Sequence, residues 1–212
     1  MNTFNDAVEA FQQGDCQLAV SIWTKLAEQG DAQSQFNLGV LFDSGDCVEQ
    51  NDWEAVFWFR KAAENQFVQA QFNLALMLLN GQGTAINQEE AAFWFAAAAK
   101  TGHSDAAFNL AKTYADGDGV DKDLKKAFYW YQQAAEKGHV QAANNLAIFY
   151  AMGHGTTRDD NKAYAWFNIA AELGDFVAVR HRERVANELT ADQIIHAGKL
   201  SQAILGRINQ QK

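Results

Sequence analysis

The segment Asp116-Gly-Asp-Gly-Val-Asp-Lys-Asp123 is the stretch whose residue types come closest to a metal-binding loop. Its alternating carboxylates offer the hard oxygen ligands that calcium prefers. A calcium loop of this type also needs a bidentate Glu at its twelfth position, and Ala127 stands there. The two glycines are explained by a turn, so the sequence favours a turn over a calcium site.

The five histidines do not form a zinc-binding pattern. His103 and His139 lie one period of 36 residues apart, each at the start of a segment, and no Cys or carboxylate stands at ligand spacing from them. The chain also lacks a His-Glu-x-x-His pair, a phosphate-binding loop and a dinucleotide fingerprint. We therefore predict no metal ion, no cofactor and no catalytic residue.

The chain has two cysteines, Cys16 and Cys47, which the repeat described below brings to the same edge of neighbouring units. Two free thiols in a reducing compartment are the expected state. An inter-repeat disulfide is the alternative that the sequence leaves open.

The charge distribution bears on the class of partner. Residues 1–175 hold 11 Lys+Arg against 23 Asp+Glu, whereas residues 176–212 hold 6 against 3. An acidic body disfavours nucleic acid and anionic membranes, because both require an extended basic surface. The sequence shows neither a bilayer-spanning apolar run nor a secretion signal, so we expect a soluble and cytoplasmic protein. A bacterial source is a separate expectation.

A period of 36 residues without insertions dominates the sequence and determines its architecture. The same residue types recur at five places in four successive segments. They are Asn37, Asn73, Asn109 and Asn145; Leu38, Leu74, Leu110 and Leu146; Gly45, Gly81, Gly117 and Gly153; Trp58, Trp94, Trp130 and Trp166; and Ala pairs beginning at Ala62, Ala98, Ala134 and Ala170.

Each segment predicts two helices. Residues 32–44 carry an apolar stripe of helical period centred on Leu38, and Gly45 ends this first helix, which we call helix A. After a polar loop, residues 52–64 carry a second stripe, which includes Trp58 and Ala62, and form helix B. One such pair buries too little apolar surface alone, so neighbouring pairs must stack.

The period divides the chain into units. We predict four full repeats in one solenoid domain. A degenerate repeat precedes them, and a C-terminal half-repeat with a capping helix follows them. In order, the units are residues 1–31, 32–67, 68–103, 104–139, 140–175 and 176–212. At the C-terminus, Thr190 and Gln193 form a capping box that starts the last helix.

These motifs resemble the Sel-1-like repeat, a relative of the tetratricopeptide repeat. The resemblance rests on Phe36-Asn-Leu-Gly39, Gly45 and Trp58-Phe-Arg-Lys-Ala-Ala-Glu64, and it is closer in Asn109–Val120 and Ala134–Gly138. It covers almost the whole chain and implies an all-α, right-handed superhelical α-solenoid. It also implies an adaptor that binds a protein or peptide, because the relatives are mostly adaptors of diverse partners.

Tetratricopeptide relatives bind extended peptides on the concave wall formed by successive A helices, and this implies a site here. Phe36 and Val40 lie on the side of helix A opposite Leu38. The predicted groove residues include the four repeated asparagines, which we call the Asn ladder. The full set is Phe36, Asn37, Val40, Phe72, Asn73, Leu76, Phe108, Asn109, Lys112 and Asn145. The alternative is that the Phe and Asn side chains only pack within the scaffold.

Two other functions remain as alternatives to an adaptor. Penicillin binding or β-lactamase activity has been attributed to some relatives, but a Ser-x-x-Lys acylation motif is absent here, so we predict no enzyme. Self-association through the C-terminal helix, residues 194–208, is the second alternative to the monomer that we expect.

Overall fold

The computed structural model describes residues 3–210, which form twelve α-helices and no strand. The first two and last two residues of the predicted terminal units lie outside this range. The helices are α1 Phe4–Gln12, α2 Cys16–Glu28, α3 Ala32–Ser44, α4 Asp52–Glu64, α5 Val68–Asn80, α6 Gln88–Lys100, α7 Ser104–Asp116, α8 Leu124–Ala135, α9 Val140–Met152, α10 Asp160–Glu172, α11 Phe176–Ala186 and α12 Ala191–Asn209. The chain is divided into two compact units, Met1–Thr101 and Gly102–Lys212.

The predicted helices A and B of the first full repeat are confirmed with the same bounds, as α3 and α4. Local chemistry sets these bounds. The side chains of Asp31 and Asn51 accept hydrogen bonds from free backbone N–H groups at the two N-termini. Gly45 ends α3 with a left-handed backbone angle, which costs glycine little.

The core of the first unit follows the periodic positions of the sequence. Leu38 and Leu74 are buried, as are the B-helix residues Phe59 and Phe95 and the paired alanines. Burial of a Leu or Phe side chain stabilises the fold by about 1.5–3 kcal/mol. The repeated Trp58 is only half-buried, so Phe59 is the larger contributor to this core.

The N-terminal repeat departs from the pattern in a way that the sequence analysis did not foresee. It has its own first helix, α1, which packs on α2 through Ala7 and Ala10 even though it lacks the Leu-Gly motif. A three-residue connection, residues 13–15, joins α1 to α2. Helix α1 therefore lies closer in sequence to α2 than the other A helices lie to their B helices.

The second unit ends in a capping helix. The predicted capping box of Thr190 and Gln193 is confirmed at the start of α12. This helix packs on α10, where Ser201 lies 3.0 Å from the Asn168 amide nitrogen that donates to it. Ile204 and Leu205 are buried as expected, whereas Ile195 is 58% exposed.

The expectation of two free thiols is wrong, because Cys16 and Cys47 form a disulfide with their Cα atoms 5.1 Å apart. The repeat explains this pairing. Gly155, which is equivalent to Cys47, lies with its Cα so close to Leu124 that an added Cβ would be 2.1 Å from the Leu124 carbonyl oxygen. Leu124 is equivalent to Cys16, so the same loop contact brings the two sulfur atoms together.

Candidate functional site

The predicted Phe stripe is half-buried and makes ring contacts inside the units. The Phe36 ring lies 5.7 Å from that of Phe59 on α4 and 4.9 Å from that of Phe67, which precedes the next repeat. Phe72 lies 6.0 Å from Phe95 in the same way. These rings therefore help to join helix A to helix B, in line with the alternative that the Phe side chains pack within the scaffold.

Phe108 makes the equivalent contacts in the second unit. Its ring lies 6.0 Å from that of Tyr131 and stacks on His139 at 4.5 Å with an interplanar angle of 19°. His139 also accepts a hydrogen bond through Nδ1 from the backbone N–H of Ala142, at 3.1 Å. Burial lowers the pKa of His139, and the nearby Asp105 carboxylate opposes this shift.

The four asparagines of the predicted ladder are half-buried and do not share one role. Asn109 donates to the backbone carbonyl of Asp105 at 2.8 Å, one turn earlier in its own helix. Burial raises the pKa of Tyr131 to about 12, although a side-chain hydrogen bond with Asn145 opposes the shift. Asn37 and Asn73 make no side-chain hydrogen bond within residues 3–210.

An apolar pocket of about 300 Å³ lies between α1 and α3 in the first unit. Two predicted residues, Asn37 and Val40, line it from α3 together with Leu41. The remaining lining comes from the N-terminal repeat: Val8, Phe11 and Gln12 on α1, and Trp23 on α2. Val40 and Phe11 are 37% and 39% exposed, so the pocket opens to solvent between them.

One of the lining residues, Trp23, carries a buried hydrogen-bond donor with no partner. Trp23 is only 3% exposed, and its buried indole Nε1–H has no acceptor among residues 3–210. Leaving such a group unpaired costs about 1–3 kcal/mol. We call this site, lined by the residues named above, the α1/α3 pocket.

The other predicted residues lie elsewhere on the A helices. Leu76 is half-buried on α5, and Lys112 is exposed on α7. The structure brings only Asn37 and Val40 of the predicted set to the α1/α3 pocket. The contribution of α1 was missed because this helix lacks the repeat motif, and the signals available were its amphipathic pattern over Phe4–Gln12 and the capping box of Thr3 and Asp6.

The B helices carry a second set of exposed apolar residues that the sequence analysis also missed. Phe57, Phe93 and Tyr129 are equivalent residues, and they are 39%, 63% and 52% exposed. Each makes an edge contact with the Trp that follows it. In the last full repeat the equivalent residue is Ala165, which is fully buried on α10, the helix that α12 covers.

No group of three or more His, Cys, Asp or Glu side chains within residues 3–210 is arranged to hold a metal ion. Asp116–Asp123 forms the end of α7 and the turn after it, with left-handed backbone angles at Gly117 and Gly119. None of the helices in the described part of the chain combines the length and the hydropathy that a bilayer crossing requires.

Known proteins resemble this chain along most of its length. Residues 32–67, 68–103, 104–139 and 140–175 each match the family model of the Sel1 repeat. A protective antigen of uropathogenic Escherichia coli strains with an SLR fold is 31% identical, with a TM-score of 0.83 over 98% of this chain and 46% of the antigen. The chain thus spans less than half of that protein.

A Sel1 repeat protein from Oxalobacter formigenes is 30% identical to this chain. The match covers 95% of this chain and 85% of the other, with a TM-score of 0.81. No curated protein matches the chain.

Proposed function

Because the chain belongs to the Sel1 repeat family, whose members have a TPR-like fold and are generally protein-interaction scaffolds, we propose that it binds a protein or peptide on its A helices. One observation carries the choice of surface. The α1/α3 pocket is open and mostly apolar, and it is lined by Asn37 and Val40 of the predicted groove, so it could hold an anchor side chain of a partner.

In this proposal Val40 and Asn37 contact the partner directly, and Phe36 holds α3 in place through its ring contacts with Phe59 and Phe67. The remaining predicted residues, from Phe72 to Asn145, belong to the A helices of their own units and add contacts there. Nucleic acid is excluded from the proposal by the acidic composition.

The proposed scaffold is a monomer without catalytic activity. Sel1 repeat proteins are typically non-enzymatic, and the chain has no Ser-x-x-Lys motif. Hydrolysis of a chromogenic β-lactam above the rate of a mock preparation would contradict this. Self-association through α12 is not favoured, because Ala197, Ile204 and Ile208 of that helix are already buried.

The disulfide bears on the compartment. The sequence analysis expects the cytoplasm, but disulfides persist in oxidising compartments and are rare in the cytosol. We therefore propose an oxidising compartment as the site of action. Alkylation of intact cells followed by a non-reducing gel tests this, and two alkylated thiols on Cys16 and Cys47 would restore the cytoplasmic assignment.

The proposed surface is tested by a comparison of two matched double variants in a pull-down. The A-helix variant carries Val40→Lys and Leu76→Lys. Both substitutions introduce the lysine that the third repeat has at the equivalent position, Lys112. The B-helix variant carries Phe57→Lys and Phe93→Lys, with the same change in charge. Both should retain the helical circular dichroism of the wild type.

We expect partner recovery to fall by about tenfold or more in the A-helix variant, which corresponds to at least 1.4 kcal/mol of binding free energy. Recovery should be unchanged in the B-helix variant. Loss of recovery only in the B-helix variant would move the binding surface to the exposed aromatic residues and overturn the proposal.

A further inference from the structure

We propose that formation of the disulfide between Cys16 and Cys47 assembles the α1/α3 pocket, so that the oxidised protein binds its partner and the reduced protein does not. The redox state of these two cysteines thereby regulates the binding surface. This inference rests on the proposed function and adds the regulation of that same site.

The walls of the α1/α3 pocket lie on both sides of the contact between α2 and α3, which we call the first joint. Val8 and Trp23 line the pocket from the N-terminal helix pair, and Val40 lines it from the first full repeat. Helix α1 packs on α2, and α2 packs on α3, so α2 sets the position of α1 relative to α3. The disulfide joins Cys16, the first residue of α2, to Cys47 in the loop after α3, and so it closes this joint.

The second joint, between the first and second full repeats, is held by polar side chains without a covalent bond. Gln82, in the loop after α5, donates to the carboxylates of Asp43 and Asp52 at 3.0 and 3.3 Å. Arg60 on α4 forms an ion pair with Glu90 on α6. These contacts link one repeat directly to the next.

The first joint lacks these polar contacts. Gln35 donates to the carbonyl of Ala27 at 2.9 Å, and this bond has a counterpart at the second joint. The residues equivalent to the polar side chains of the second joint, however, make no side-chain hydrogen bond or ion pair within residues 3–210; for Gln82, Arg60 and Glu90 they are Asp46, Thr24 and Glu54. The disulfide therefore takes the place of contacts that the repeat supplies at the second joint.

The N-terminal helix pair depends on this bond, because it has little stability of its own. Helices α1 and α2 have 9 and 13 residues, lengths at which isolated helices are marginal in water. The buried indole N–H of Trp23 has no acceptor, a cost that the equivalent Phe59 does not carry. In the chain-entropy model, a cross-link between residues 31 apart shifts the docking equilibrium of the pair by up to about a thousandfold. Reduction should therefore release the pair from α3 and remove one wall of the pocket.

The backbone at Cys47 favours a bond that can be reversed. Cys47 has φ 67°, a conformation that costs a non-glycine residue free energy, and the next repeats have glycine there. Opening of the first joint lets the loop leave this conformation. Strained disulfides are more readily reduced than relaxed ones and are the regulatory ones among proteins.

The redox step exchanges one disulfide for another. A Cys-x-x-Cys protein in its disulfide form, or another disulfide oxidant, accepts two electrons from the two cysteines. One thiolate of the chain attacks the oxidant to give a mixed disulfide, and the second thiolate then displaces the reduced oxidant. The two protons of the cysteines end on the two sulfur atoms of the oxidant, and a dithiol reverses the reaction. A newly made chain therefore binds its partner only after it meets such an oxidant.

The first test follows the docking of α1 in the full-length protein without a partner. Val8 packs against the core cluster that contains Trp23, so ring currents should set its methyl resonances apart in ¹H–¹³C NMR spectra. The signals that are missing in Val8→Ile identify them. The methyl groups of Leu146, buried in the second unit, serve as the control.

We expect reduction by dithiothreitol to move the Val8 methyl signals to random-coil positions and reoxidation by oxidised glutathione to restore them. The Leu146 signals should stay in place. The variant with Cys16→Ser and Cys47→Ser should give the signals of the reduced protein with or without dithiothreitol, which assigns the effect to this bond. Unmoved Val8 signals in protein whose two thiols are shown to be free by alkylation and mass spectrometry would overturn the inference.

The second test measures partner recovery in the pull-down described above, without reductant. The two-serine variant should recover at least about tenfold less partner than the oxidised wild type, because only the docked fraction of its molecules carries the pocket. Equal recovery would overturn the inference, while a loss of recovery in the A-helix double variant would leave the proposed function standing. An A-helix double variant that keeps its partner would contradict the proposed function and this regulation with it, even if the Val8 signals respond to reduction.

Discussion

The disulfide should hold the N-terminal helix pair against the first full repeat, and its contribution can be estimated from the loop that it closes. Cys16 and Cys47 are 31 residues apart in sequence. In the chain-entropy model, a cross-link over a loop of this length stabilises the folded state by about 4 kcal/mol at 25 °C. Replacement of both cysteines by Ser should remove this contribution.

A second double variant separates the cross-link from backbone strain. Cys47 has a left-handed backbone angle, φ 67°, at a position where the next repeats have Gly83, Gly119 and Gly155. A non-glycine residue in this conformation costs about 1 kcal/mol. The variant with Cys16→Ser and Cys47→Gly should therefore lose only about 3 kcal/mol, less than the variant with two serines.

Hydrogen exchange measured by mass spectrometry locates the effect. In a repeat protein each unit is stabilised mainly by its neighbours, so the loss should concentrate in α1 and α2 and leave α9 unchanged. At 1.4 kcal/mol per factor of ten, protection of the α2 amides should fall by up to about a thousandfold with two serines and about a hundredfold with Ser and Gly.

Reduction of the wild type should reproduce the result for the two-serine variant. Protection within about threefold of the oxidised wild type in both variants, or lower protection with Gly than with Ser at position 47, would refute the reasoning. The first result would show that the cross-link does not stabilise the fold, and the second would show that the backbone at Cys47 is not strained.

Two further predictions concern positions where one repeat differs from the others. Gln66 has φ 63°, whereas the equivalent Gly30 has φ 95° with no atom close to an added Cβ. In urea titrations, Gln66→Gly should raise the free energy of unfolding by roughly 0.5–1 kcal/mol, and Gly30→Gln should lower it by a similar amount. Changes of the opposite sign would contradict the argument from backbone strain. His139 caps α9 in its neutral form with a lowered pKa, so the unfolded chain takes up its proton first. The free energy that His139 contributes to folding is complete above a pH of about 6.5 and is lost as the pH falls through the lowered pKa. In urea titrations the free energy of unfolding should therefore fall more steeply with decreasing pH for the wild type than for His139→Asn, in which the cap does not titrate. Equal slopes for the two proteins would contradict this.

The repeat made the two helices of the first full repeat predictable to the residue. Leu38 and Gly45 fix helix A because an apolar period and a left-handed terminator act locally, and the structure ends α3 at the expected Ser44. The capping box of Thr190 and Gln193 is equally local and was predicted correctly. Such signals need no knowledge of what packs against the helix.

The candidate site was predictable only in part, because it depends on neighbours that the repeat does not specify. Val40 and Asn37 follow from their place on helix A, but the opposite wall of the pocket comes from α1, which lacks the motif. The sequence predicts Trp23 as a core residue, but whether its indole N–H finds a partner depends on how the neighbouring helices pack. The disulfide likewise depends on how closely one loop approaches the preceding helix B.

The most direct test of the proposed binding surface is photo-crosslinking in living cells with benzoylphenylalanine placed at one position at a time. Val40 and Phe93 are both exposed, so each accepts the probe without loss of the core, and they lie on an A helix and a B helix. The account predicts a crosslinked adduct of defined mass from position 40 and none from position 93. An adduct from position 93 with none from position 40 would contradict it.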